Sequence, residues 1–231
     1  MEYFYTPPNC ITGDELVLDG EEFSHLTHVM RKQVGDTIRV VDGCGQVYDV
    51  RIIEVRKHLA RCSILARQER LHEPPTELTV AAALLKSPSR FDYLVEKTTE
   101  LGTRRIIPLL TKRTIPRSGK RDRWQKLAIS AMKQSTRCVL PTITELMSFA
   151  DFVSAVSPES LKLIPHQEVE RQISDVHRGQ PSIIICIGPE GGFTDEELDR
   201  ASEAGFISVT LGPRRLRAET AAVVASAAVL T

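Results

Sequence analysis

The stretch SIIICIGPEGGFTDEELDRA, residues 182–201, decides the fold. Its first six residues are β-branched and apolar almost without interruption, a pattern that predicts a strand covered on both faces rather than one. Thr194, with Glu197 three positions on, predicts a capping box and a helix start. Between strand and helix lies Gly188-Pro189-Glu190-Gly191-Gly192. A glycine-rich turn of this kind exposes backbone N–H groups and admits a ligand closely. A plain turn with no ligand satisfies the same pattern.

Working outward, the same alternation repeats. Strands are predicted at 78–85, 105–110, 142–146, 161–165, 183–187 and 207–211, and helices at about 90–101, 120–138, 149–156, 195–204 and 218–230. Leu94, Thr98 and Leu101 fall on one helical face, with Lys97 and Glu100 elsewhere. Such βα alternation predicts a mostly parallel sheet that binds ligands at the carboxyl ends of its strands. The first seventy residues differ. Short alternating runs at 15–18, 37–41, 46–55 and 60–65 predict a small β domain, with Asp42-Gly43-Cys44-Gly45 as a hairpin turn. One helical segment, 21–32, carries His25, His28 and Arg31. Histidines three apart share a helix face, but no third ligand is near, so no metal site is expected. That polar face meets either an RNA backbone or solvent. Paired prolines in LHEPPTE mark a linker. The expected organisation is a β domain at 1–70, a linker at 71–77 and an α/β domain at 78–231.

Hydrophobic and charged residues make up 42% and 26% of the 231-residue chain, an ordinary globular balance. Five scattered cysteines, with no C-x-x-C, point away from structural zinc and disulfides and towards a cytoplasmic protein. No apolar run is long enough for a membrane span, and the opening MEYFYTPPNC lacks the regions of a signal peptide. Net charge is zero, yet the stretch from Arg104 to Lys126 holds nine Lys and Arg against one acid, Asp122. Arg113, Arg117, Lys120, Arg121 and Arg123 belong to it, and it reads as a phosphate-binding surface or as a solvated face.

A second strand end, LGPRRLRAETA at 211–221, echoes the first: apolar strand, Gly-Pro turn, charges, helix. The following AAVVASAAVL has almost no polar face and is expected to be largely buried. Arginines beside a buried helix start are costly unless they meet anions or carboxylates. The two loops therefore line one pocket, or are tied by an Arg–Glu bridge, or both. The chain has no P-loop, no early G-x-G-x-x-G, no nucleophile elbow and no H-E-x-x-H.

Four motifs, in order, carry a resemblance: EKTTELG at 96–102, KQSTR at 133–137 with Pro141, IGPEGGF at 187–193, and LGPRRLRAETA at 211–221. Together they resemble the ribosomal RNA small subunit methyltransferase E family of the SPOUT class, over essentially the whole chain. The segment His25…His28-Val29-Met30-Arg31 before a Gly-Asp turn is similar to that family's PUA-like domain. Arg215 stands where an aliphatic residue is common, Ala218 where threonine is common, and Lys133 where an acid is common.

The resemblance implies an α/β fold: a carboxyl-terminal SPOUT domain with a trefoil knot and a small amino-terminal PUA-like β-barrel. It implies S-adenosylmethionine-dependent methylation of a uridine N3 in 16S rRNA of the small ribosomal subunit, by a homodimer. Three loops would form the cofactor pocket: Ile164 and His166; Gly188, Pro189, Glu190, Gly191 and Gly192; and Leu211, Gly212 and Leu216, with Thr220 beyond. Arg217 is expected to stabilise charge on the uracil or anchor a phosphate. Glu190 or Glu219 is expected to take the N3 proton, unless Glu219 holds Arg217 in place. RNA contacts are expected from His28, Arg31, Arg137 and the basic stretch. Two other functions fit the same residues: a non-catalytic RNA-binding or ribosome-assembly factor, and an enzyme of this fold acting on tRNA.

Overall fold

The computed structural model describes residues Tyr3–Thr231, which divide into two compact units. The first comprises residues 3–73 with Ile129–Leu140 and the second Pro74–Ala128 with Pro141–Thr231.

In the first unit β1 (Tyr3–Tyr5), β2 (Ile11–Thr12), β3 (Glu15–Asp19), β4 (Thr37–Val41), β5 (Gln46–Val55) and β6 (Leu59–Glu69) form a six-stranded sheet, ordered β1-β4-β5-β6-β3-β2. All neighbours are antiparallel except β1 and β4. Every second residue turns inward: Leu16 and Leu18, Ile38 and Val40, Val50 and Ile52, Ala60 and Cys62 share one core with Phe4 and Leu26. The 42–45 turn joins β4 to β5 as its sequence predicts. Asp42 Oδ1 accepts the amides of Cys44 and Gln46 at 2.7 and 3.1 Å, and Gly43 and Gly45 take positive φ.

The 21–32 helix is shorter and of another kind. It starts as α1 (Gly20–Ser24) and continues as a π-helical turn over His25–Val29, with the Met30 amide bonded to the His25 carbonyl five residues back. A widened turn no longer stacks residues three apart. His25 accordingly rests edge-on against Phe4 at 5.7 Å, while exposed His28 is held by Ser24 and Thr27.

The second unit carries a parallel sheet of β7 (Glu77–Ala83), β8 (Arg105–Leu110), β9 (Thr142–Ile143), β10 (Met147–Ser148), β11 (Leu161–Pro165), β12 (Ser182–Ile187) and β13 (Ile207–Val209). The order is β10-β8-β7-β12-β11-β13, with β9 beside β8. The expected 142–146 strand is only the two residues of β9, and β10 begins just beyond it. Ile183, Ile185 and Cys186 on β12, and Ala81 to Ala83 on β7, are wholly buried, as apolar runs at the centre of a parallel sheet must be. The helices of this unit are α2 (Pro88–Leu101), α4 (Phe149–Ala155), α5 (Ile173–Val176), α6 (Asp195–Glu203) and α7 (Ala218–Leu230), while α3 (Arg121–Gln134) belongs to it up to Ala128 and to the first unit from Ile129 on. Among the described residues no helix is long and apolar enough to cross a membrane.

α3 ends four residues short of the expected 138, where Ser135 bonds back to the Ala131 carbonyl and Thr136 takes φ +58°. The thirteen-residue α7 is less buried than its sequence implies. Ala222, Ala225, Ser226 and Val229 face inward, but Thr220, Val224 and Ala228 leave an exposed stripe at four-residue spacing.

Burial pushes the Cys62 and Cys138 thiols up to about 12, and raises that of Cys186 as well. Thiol titration of the native chain is therefore expected to count exposed Cys44 at once and half-buried Cys10 slowly. The other three should appear only on unfolding; labelling of Cys186 in the folded chain would contradict its burial.

Candidate functional site

Three loops leave the carboxyl ends of neighbouring strands β12, β11 and β13 and close on one cavity of about 510 Å³. Parallel strands leave their carboxyl ends open in this way, and a volume of about 300–1,000 Å³ is typical of small-molecule sites. The loop after β12 runs from Gly188 to Phe193 and ends in the capping box foreseen from Thr194 and Glu197. Their reciprocal bonds are 3.3 and 2.9 Å. Buried Glu197 has a second partner, accepting the Lys112 amide at 2.8 Å, so one carboxylate fixes both the helix start and the loop after β8.

The glycines of this loop serve different ends. Gly192 has φ +71°, which L side chains rarely adopt, and open space where a Cβ would lie. At Gly191 a Cβ would meet the side chain of Arg113 at 3.4 Å. Arg113 donates to the carbonyls of Gly191 and Phe193 at 2.7 and 2.9 Å, and thereby braces the loop. Expected among the phosphate binders, Arg113 is a bracket for the pocket wall.

Of the residues expected at the cofactor, His166, Gly188, Pro189, Glu190, Gly191, Gly192, Leu211, Gly212 and Leu216 all line this cavity. Arg217 lines it too. Ile164 does not: it is 1% exposed and belongs to the core beneath its loop. Thr220 is exposed on the first turn of α7 but lies off the cavity. The three arginines of the 211–217 loop are all exposed, so no burial cost forces them onto a carboxylate.

Glu219 is buried, yet its partner is Arg90, not Arg217. From the first turn of α2, Arg90 reaches Glu219 at 3.6 Å and Glu190 at 3.7 Å, linking the two motifs through a residue outside both. Nothing in its local pattern announces this, because the pairing joins positions about a hundred residues apart. Glu190 also accepts the Lys86 amide at 3.1 Å. The second oxygen of Glu219 is buried and has no hydrogen-bond partner among the described residues. A fixed anion there is favoured by the amino terminus of α7.

The other expected RNA contacts scatter. Arg117 and Lys120 are exposed. Arg121 bonds the Ile143 carbonyl and Glu145, and Arg123 pairs with Asp92 at 2.8 Å. In the first unit His28 and Arg31 are exposed, but Arg137 is not. It is 3% exposed and locked to buried Glu73 at 2.7 Å, leaving it no surface for a phosphate. Among the described residues no group of three or more His, Cys, Asp or Glu is placed to hold a metal.

The RNA methyltransferase domain family matches residues 72–230, and the RNA methyltransferase PUA domain matches residues 18–65. A ribosomal RNA small subunit methyltransferase E from Synechocystis is 35% identical over 227 residues, spanning 95% of this chain and 74% of that one. Its Bacillus subtilis namesake is 29% identical, over 92% and 88%. Among solved structures, the enzyme of that name from Neisseria gonorrhoeae, bound to S-adenosylmethionine, superposes with a TM-score of 0.91 at 34% identity. That match covers 99% of this chain and 96% of that one. A pocket built from three loops on a parallel sheet, a PUA domain ahead of it and relatives matched over nearly the whole chain lead to one assignment: the protein belongs to the ribosomal RNA small subunit methyltransferase E family.

Proposed function

We propose that the protein methylates N3 of a uridine in the 16S rRNA of the small ribosomal subunit, with S-adenosylmethionine as donor. The observation that carries this reading is the three-loop cavity, which sets Glu190 and Arg217 on one lining. The residues present fit the donor. The cavity has a suitable volume, and at Gly192 its lining leaves open space where a side chain would stand. Residues 188–189, 191–192, 211–216 and His166 would hold it. When bound, S-adenosylmethionine supplies a methyl group already activated by its sulfonium, so no residue has to polarise it.

What remains for the chain is to align the acceptor and remove a proton. Uridine N3 is a neutral imide and must lose its proton as the new bond forms. Glu190 suits this proton transfer, because it lines the cavity and its carboxylate is partly exposed. Glu219, buried behind the lining and paired with Arg90, acts as an anchor instead. Arg217 is exposed and has no carboxylate partner among the described residues, and it stabilises the negative charge that builds on the uracil oxygens. The isosteric Glu190→Gln variant is expected to lower kcat by about 10²- to 10⁴-fold, the usual worth of a general base. Cofactor affinity, read by calorimetry, should stay near wild type; an unchanged kcat would remove Glu190 from the chemistry.

The protein is further proposed to act as a homodimer in the cytoplasm, carrying the SPOUT-class knot. The deciding experiment is transfer of labelled methyl to small subunits lacking uridine N3-methylation, with the product mapped by mass spectrometry. A single N3-methyluridine in 16S rRNA is expected. Transfer to tRNA alone, or none from folded protein, would replace the reading with the tRNA enzyme or the assembly factor.

A further inference from the structure

A second cavity, of about 600 Å³, lies in the same unit and shares Arg113, Glu190 and Gly191 with the first. The two therefore meet at the Glu190–Gly191 peptide. Around the second stand Lys86, Arg117 and Ile115. Lys86 and Arg117 are exposed, and neither side chain pairs with a carboxylate among the described residues, unlike the neighbouring Lys112, which pairs with Glu196. Ile115, between these cations in the chain, leaves 63% of its surface in solvent.

Resting on the methylation reading above, we infer that this second cavity is the acceptor cleft, which takes one nucleotide splayed out of the RNA. Lys86 and Arg117 grip the phosphates flanking it, and Ile115 covers one face of its base. Each part of the inference follows from the chemistry of the lining. Two uncompensated cations beside one opening select an anion. A large exposed apolar side chain among them favours a ligand that also carries an apolar face, which a free phosphate lacks. A nucleotide has both parts, and an unstacked RNA base is commonly held by an apolar or aromatic face. Of the carboxylates among the described residues, Glu190 alone lines both cavities. A base seated in the cleft therefore brings its imide edge to the group that must take the proton, next to the donor pocket. The target base has to leave any helical stack to reach this position, as bases do in other enzymes that react at a base atom.

The test compares wild type with Lys86→Ala/Arg117→Ala and with Ile115→Ser, using unmethylated small ribosomal subunits as the probe. All three side chains are exposed, so the variants are expected to melt with wild type. For the double variant, KM for subunits should rise about 10-fold or more. The slope of log affinity against log salt should become shallower by about one for each charge removed. Ile115→Ser should raise KM with the salt slope unchanged, separating base contact from charge. In both, kcat at saturating subunits and the Kd for S-adenosylmethionine should stay within about two-fold of wild type, since the donor pocket is untouched. If wild type transfers methyl and the variants keep its KM and salt slope, the cleft assignment falls while the methylation reading stands. Loss of cofactor affinity in the double variant would also overturn it, by making the cleft part of the donor site. If wild type transfers methyl to no RNA, both readings fall together.

Discussion

Arg217→Ala is expected to lower kcat for methyl transfer by about 10²- to 10³-fold, the range found when one donor to a developing oxyanion is removed. The fold should survive the change. Arg217 is the N-cap of α7 by backbone alone: its carbonyl accepts the Ala221 amide at 2.8 Å, and its side chain makes no capping bond. Alanine keeps that carbonyl in place. Thermal melting should therefore match wild type, and the Kd for S-adenosylmethionine should change little. Steady-state kinetics then separate two roles for the guanidinium. Stabilisation of charge on the uracil appears as lost kcat, because that charge exists only in the transition state. Anchoring of a phosphate appears as raised KM with kcat retained. A variant that transfers methyl normally, or that stays folded but no longer binds the cofactor, would end the catalytic assignment.

The other large effect concerns stability. Arg137 and Glu73 have side chains 3% and 2% exposed, and Glu73 also accepts the amides of Cys138 and Val139 at 2.8 and 2.9 Å. Removing one member of a buried pair strands the other's charge, at a cost of about 3–5 kcal/mol. Arg137→Ala is thus expected to lose that much in a denaturant titration, a large part of a typical domain's stability. Paired replacement of both residues by apolar ones should recover only part of that loss: no orphan charge remains, but the Cys138 and Val139 amides lose their acceptor. RNA affinity, measured below the melting temperature, should be close to wild type. A variant with unimpaired stability and weakened RNA binding would restore Arg137 to the RNA-contacting surface that its basic, motif-embedded sequence suggested.

Arg137 illustrates where reading along the chain stops. KQSTR announces an arginine in a functional motif, but whether it faces RNA or a carboxylate depends on Glu73, 64 residues earlier. The same holds for Arg113, which brackets the 188–193 loop from 78 and 80 residues away, and for Arg90, which ties Glu190 to Glu219. A cation accepts any anion or carbonyl that tertiary packing brings near, so its partner leaves no mark on its neighbours in sequence.

Local rules reached further where the physics is local. The buried run at 183–187 reads as a central strand, because short β-branched runs flanked by turn residues suit an element covered on both faces. Thr194 and Glu197 satisfy each other three residues apart, and the 42–45 turn is made by Asp42 and its own neighbours. Two of the pocket's three loops were legible for the same reason, since they follow strands that the apolar pattern locates; the third, at 164–166, came only with the family resemblance. The π-helical turn at His25–Val29 was not, because it trades one hydrogen-bonding register for another to seat His25 against Phe4. Sequence alone determined most of the strands, the caps and two of the cavity's loops, since those depend on contacts within a few residues. Only the tertiary structure decided which arginines are held by carboxylates or carbonyls, that Glu190 rather than Glu219 lines the cavity, and that a second cavity meets the first. Those outcomes are set by packing between segments roughly a hundred residues apart, where charge and burial are properties of the assembled fold.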